Sequence, residues 1–236
     1  MEKNNENAME MESKEINQKV QEETNTGIDA EVEAKLRRTK RLELRHENIK
    51  AWNFGPDTSQ FKNLDSNIKK NTAFIKKCRS NLNAETKQQL INDVKKLRLE
   101  KYIPEVVTSI VEGVHKCKTG ADAWAAVEVI SALHRRFPDT FTPLLTYQLA
   151  KAIAPANRQQ LAALSSEQRE REEASRVSRQ RIVGRVICEL WLVGALRDIE
   201  DGVAQLNATS AHGVDNVGKD NIAGLLSTTL KRKKGT

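Results

Sequence analysis

The stretch Ile103 to Val114, IPEVVTSIVEGV, decides the fold. Ile103, Val106, Val107, Ile110, Val111 and Val114 recur at i, i+3, i+4, i+7, i+8 and i+11, the spacing of one face of an α-helix. A half-buried strand would alternate apolar and polar residues, and this stretch does not. Pro104 is compatible with the assignment, because the first helical turn leaves its N–H groups without intrahelical acceptors.

The same period extends in both directions. Upstream, Leu90, Ile91, Val94 and Leu97 form a stripe for which Asn83 is the expected N-cap. Downstream, Ala123, Ala126, Val127, Ile130, Leu133 and Phe137 point inward until Phe137-Pro138-Asp139 stops the helix. Thr142-Pro143 opens another, with Leu144, Leu145, Leu149 and Ile153, ended by Ala154-Pro155-Ala156-Asn157. Residues 158–178 are charged and read as a loop followed by a solvated helix start. Ile182, Val183, Val186, Ile187, Leu190 and Trp191 then form a stripe so apolar by Val193 that this helix is expected to be the most buried.

Further upstream, Leu64 to Cys78 reads LDSNIKKNTAFIKKC. Phe61, Leu64, Ile68, Ile75 and Cys78 share one side at helical spacing, while Lys62, Lys69, Lys70, Lys76 and Lys77 fall on the other, with Arg79 beyond. From Asp29 to Trp52 a charged lead-in helix carries Val32, Leu36, Leu42, Ile49 and Trp52 among lysines and arginines, and Phe54-Gly55-Pro56-Asp57 ends it. The pattern gives at least six helices, short connections and no strand. The expected class is all-α, with antiparallel hairpins stacked as degenerate HEAT-like repeats in a short solenoid.

Composition agrees. Hydrophobic residues make up 38% of the 236-residue chain and aromatics only 4%, so a core exists but sustained β-branched alternation does not. Residues 1–34 hold ten acidic residues against three lysines, and the remainder carries 22 acids against 36 bases, from totals of 32 and 39. An acidic tail on a basic body points toward a polyanionic partner. The resulting division is a disordered acidic tail over 1–28, a lead-in helix over 29–56, the helical domain over 57–196, and a glycine-rich, basic-tailed part over 197–236. Lys35 to Arg41 and the terminal Lys231-Arg232-Lys233-Lys234 resemble import or phosphate-contact patches, although a solvated face explains the first as well.

Chemistry finds few candidates. Phosphate-binding glycine loops and a Gly-x-Ser-x-Gly turn are absent, and His46, His115, His134 and His212 stand apart. His115-x-Cys117 lacks the further ligands that zinc needs. The expectation is therefore no enzyme, no cofactor and no metal. Cys78, Cys117 and Cys188 lie in or beside apolar stripes and read as buried free thiols in a reducing compartment. Met1 to Glu15 is acidic and polar, and no run approaches the roughly 18 apolar residues of a membrane helix, so neither a leader nor a membrane partner is expected. The lysine face of Lys62, Lys69, Lys70, Lys76, Lys77 and Arg79 reads as a solvated helix face first and as the candidate RNA-binding surface second. It lacks interleaved aromatics, so contact would be with phosphates and without sequence preference.

The order of segments RLELRHENIKAW, LDSNIKKNTAFIKK, LRLEKYIPEVVTSIVEG and VISALHRRF resembles the N-terminal region of the regulator of nonsense transcripts 2 family, scaffolds of nonsense-mediated mRNA decay. The resemblance runs from about Arg41 to Ala195, and its most specific feature is Asn71-Thr72-Ala73, which amphipathicity does not require. DNIAGLL at Asp220 to Leu226 looks like a later family segment. The family has further helices between the equivalents of Leu196 and Asp220, where this chain has only a short glycine-rich stretch. The resemblance implies the first domain of the initiation factor 4G middle-domain type, truncated, cytoplasmic with an option of nuclear shuttling. Its implied role is structural support and docking for other decay factors and RNA–protein complexes. The family's sites for the pathway's helicase and for the third up-frameshift factor lie outside this chain. Direct RNA binding and a translation-initiation-type platform are the alternatives.

Overall fold

The computed structural model describes residues 31–61, 63–155 and 161–197. The chain divides into two compact units between Glu43 and Leu44. In the first, residues 31–43 are helical and held by local ion pairs, Lys35 to Glu31 at 2.8 Å and Arg37 to Glu33 at 2.6 Å. Val32, Leu36 and Leu42 there are all exposed, so they form no buried stripe.

The second unit begins inside the same helical run. Residues 31–54 are all helical (α1), but only its end is packed, through Leu44, Asn48 and Ala51. The expected inward residue Ile49 is exposed, and Trp52 is half-buried. A polar residue, Asn48, occupies the middle of the true stripe. Gly55 closes the helix with φ +76° and donates its N–H to the Ala51 carbonyl at 2.9 Å, a conformation glycine adopts without steric cost.

The remaining helices are α2 (Ile68–Ser80), α3 (Lys87–Lys96), α4 (Ile103–Lys116), α5 (Gly120–Arg136), α6 (Phe141–Ile153) and α7 (Ser166–Leu192). They form two layers. In one, α4 lies between α2 and α6; in the other, α5 lies between α3 and α7, and α4 and α6 also touch α7. This is the stacked-hairpin architecture that the periodicity predicts. All six expected residues of α4 are buried. Among the described residues the only extended pairing is an isolated parallel bridge between Asp65 and Leu97.

Three expectations need correction. In α2 the buried stripe is Asn71, Phe74 and Cys78. The stripe through Phe61 and Leu64 assumed helix where there is none. Asn67 is the N-cap, accepting from the Lys69 and Lys70 N–H groups, and Asp65 is tied by its backbone to Lys96 and Arg98. Ile68, in the first turn, is 68% exposed. For α3, Asn83 caps a turn, accepting from Thr86 N at 3.0 Å, and the helix starts four residues later.

The most enclosed helix is α5, not the one from Ile182. Every residue from Ala125 to Leu133 is buried, as are Ala123, His134 and Arg136. Small alanines let neighbours close in on all sides, and a capping box of Thr119 and Asp122 starts the helix. In α7 only Val183, Val186 and Leu190 are buried, while Trp191 and Leu192 are exposed.

Two features lock neighbouring helices within each layer. A Cβ at Gly113 of α4 would stand 2.1 Å from the Cys78 carbonyl oxygen of α2, so only glycine permits this crossing. Arg136, 4% exposed, donates to the Val94 and Leu97 carbonyls at the end of α3 and to Glu100 at 2.7 Å. Its guanidinium lies 4.9 Å from the Phe61 ring centroid and 4.7 Å from that of Phe137. One side chain thus satisfies carbonyls that α3 leaves without intrahelical donors.

Candidate functional site

On α2, Lys69 and Lys76 lie opposite the Asn71–Phe74–Cys78 stripe, whereas Lys70 and Lys77 flank it. Lys70 Nζ bonds Asp65 Oδ2 at 2.7 Å, and this pairing holds the Asp65 carboxyl below its usual range. Lys77 stands 3.6 Å from Asp93, and Arg79 Nε pairs with Glu112 at 2.9 Å. Lys69 and Lys76 are exposed and have no carboxylate partner among the described residues. Lys62 lies outside the described residues. Two free cations and three compensated ones therefore remain of the six.

Sequence reading missed two neighbours. The Asp65 N–H donates to the Lys96 carbonyl at 2.8 Å and the Arg98 N–H to the Asp65 carbonyl at 2.9 Å, placing exposed Lys96 and Arg98 beside the start of α2. No helical period links positions 69 and 98, so only the tertiary bridge reveals them.

A buried polar network joins α1, α5 and α6. Asn48 Nδ2 donates to the Val193 carbonyl at 2.9 Å and to Ser131 Oγ at 3.2 Å. His134 reaches the Asn48 carbonyl through Nε2 at 3.1 Å and Thr142 Oγ1 through Nδ1 at 2.8 Å. A carbonyl only accepts, so the proton sits on Nε2, and Nδ1 accepts from the Thr142 hydroxyl. Burial pushes this imidazole down to about 4, against the opposing pull of the Asn48 carbonyl. The network is structural, since it is sealed from solvent.

Of the three thiols, Cys78 and Cys117 are buried as expected, but Cys188 is exposed. Burial, with the Asp122 carboxylate adding to it, pushes Cys117 up to about 11. Burial likewise raises Cys78, so neither is a ready nucleophile. Among the described residues no group of three His, Cys, Asp or Glu side chains could hold a metal ion, and no helix is long and apolar enough to cross a membrane. The terminal Lys231-Arg232-Lys233-Lys234 and the stretch after Arg197 lie outside the described residues.

Two layers of stacked helices define a helical-repeat domain, and solved structures show it to be of the initiation factor 4G middle-domain type. The N-terminal domain of this type from Saccharomyces cerevisiae Upf2 superposes with a TM-score of 0.59 at 34% identity, covering 69% of this chain and 50% of that one. The first such domain of human UPF2 gives 0.57 at 31% identity, covering 77% of this chain and 53% of that one. Over its helical domain the chain is similar in sequence to the Upf2 proteins of nonsense-mediated mRNA decay. It is 36% identical over 157 residues to nonsense-mediated mRNA decay protein 2 of Schizosaccharomyces pombe, and 35% identical over 173 residues to human regulator of nonsense transcripts 2. These alignments take in 63% and 73% of this chain but only 15% and 12% of the relatives' length. No protein-family model matches the chain.

Proposed function

We propose that this protein is a non-catalytic scaffold in nonsense-mediated mRNA decay, its helical domain giving structural support and docking other decay factors. The observation that carries this reading is the match of the two-layer helical domain to first domains of Upf2 proteins. The working compartment would be the cytoplasm, with nuclear shuttling open to test by fractionation. Affinity purification of the tagged chain from its own cells is the test. Recovery of decay factors supports the scaffold, whereas recovery of initiation factors alone would replace it with a translation platform. Fold likeness by itself does not choose between them.

A second reading, direct RNA contact, is favoured by one observation: Lys69 and Lys76 are exposed with no carboxylate partner among the described residues, on a helix whose start lies beside Lys96 and Arg98. Such a surface would bind phosphates without reading bases. Replacing Lys69 and Lys76 with Glu should weaken binding to an RNA oligonucleotide and flatten its salt dependence. Unchanged affinity would remove this face.

A further inference from the structure

A cavity of about 130 Å³ opens where α1, the 55–61 connection, α3 and α5 converge. Its cations are Lys50 of α1, Lys95 of α3 and Arg135 of α5; its acids are Glu47 and Asp57; Phe61 and Val94 supply apolar wall. None of the three cations has a carboxylate within ion-pair distance among the described residues. Arg135 is half-buried, and Asp57 is already engaged, its Oδ1 accepting from the Ser59 N–H and hydroxyl.

We propose that this cavity is a socket for a single carboxylate side chain presented by a partner protein, with Arg135 as its bidentate donor and Lys50 and Lys95 at the rim. A guanidinium carries its N–H donors in a planar fork that matches a carboxylate. Here the fork is half withdrawn from water and has no acceptor of its own among the described residues. Burial lowers the Arg135 pKa and Glu47 opposes the shift, so the cation is only partly compensated.

Charge selects the occupant. Three cations and two carboxylates leave one positive charge, which a monoanion neutralises. A phosphomonoester dianion would leave the socket negative and bring a second charge toward Glu47 and Asp57. An RNA strand would carry several phosphates past those same acids. The apolar wall beside the fork suits the methylenes of Glu or the chain around Asp. The charged rim makes a polar pocket on an otherwise helical surface, an arrangement that orients a partner more than it holds one.

The inference rests on the docking reading of the domain and names the chemistry of what docks. It is tested on the full chain with ¹⁵N-labelled arginine, following the Arg135 Nε–H resonance during titration with Ac-Ala-Glu-Ala-NH₂. A saturable shift is expected, at least tenfold weaker with the Gln peptide. In Arg135→Met, where the labelled Arg136 backbone N–H serves as the reporter instead, the peptide should cause no saturable shift. Lys95→Met, at the exposed rim, should weaken it several-fold with an unchanged melting temperature, which guards against a folding defect in the first variant. No saturable shift, or tighter binding of the phosphoserine peptide or of an RNA oligonucleotide than of the Glu peptide, would overturn the proposal. Purification from cells separates the two readings. Decay factors retained by Lys95→Met and Arg135→Met alike would sink the socket and leave the scaffold; none with the unsubstituted chain would sink the scaffold.

Discussion

His134 Nε2 donates to the Asn48 carbonyl oxygen 3.1 Å away, tying the centre of the core to the end of α1. The neutral ring is the form that fits, and its pKa is pushed down to about 4 from an ordinary 6.5. A depressed folded pKa means that the unfolded chain binds the proton first as pH falls. This contribution to stability is therefore complete above about pH 6.5 and is lost as pH drops toward 4, by about 3 kcal/mol in all. Arg135 and Arg197 push in the same direction as burial, and Asp139 opposes them. Denaturant titrations at pH 7.5 and 4.5 should show the loss, and His134→Gln should be less stable at neutral pH with a flatter profile. An equal acid slope in both proteins would show that the ring does not titrate in this way.

Arg136 should be among the least replaceable residues. Arg136→Met keeps the stem but leaves the Val94 and Leu97 carbonyls without their donor and Glu100 without its partner. A loss of about 3 kcal/mol is expected in urea denaturation. Arg136→Lys should recover part of this, because an ammonium cannot reproduce the flat contact with Phe61 and Phe137.

Two helical glycines give opposite expectations. Gly113→Ala would place its methyl against the Cys78 carbonyl, and α2 and α4 would have to move apart, lowering stability by about 2 kcal/mol. At Gly184 a Cβ meets nothing within 4 Å, so Gly184→Ala should raise stability by about 0.5–1 kcal/mol through helix propensity. Thermal melts of the two variants beside the parent decide both.

Thiol reactivity follows burial. One cysteine, Cys188, should react promptly with Ellman's reagent, and Cys78 and Cys117 only after unfolding. Loss of the fast phase in Cys188→Ser would assign it. Three fast thiols would contradict the packing of α2 against α4.

What the sequence could and could not disclose follows from the kind of residue involved. Helix α4 is legible because all six positions of its stripe are Ile or Val, although Ser109 and Gly113 are buried as well. Helix α5 hides its rank, since alanines carry little apolar weight while permitting close packing all round. Polar residues mislead in both directions. Asn48 and Asn71 are buried at 0% and 2% exposure, so a stripe sought among apolar letters runs through Ile49 and Ile68 instead. The lysine face is visible as a face, but its pairing with Asp65 and Asp93 depends on contacts that no period encodes. Arg135 and Arg136 are adjacent identical letters, one half-open to a cavity and the other sealed between two rings.

The Asn48 link to the turn after α7 also governs the order of events in folding. Most helix contacts join elements adjacent or two apart, so short loops close them at small entropic cost. Asn48 to Val193 and Arg45 to Leu192 span 145 and 147 positions, and closing so long a loop must wait until the repeats between have shortened it. This clasp is expected to be the last contact to form and the first to open. Native-state hydrogen exchange should show the ends of α1 and α7 opening together, before α4 and α5; uniform protection across all four would contradict that order. On that order the protein would unzip from its seam while its middle repeats still stand.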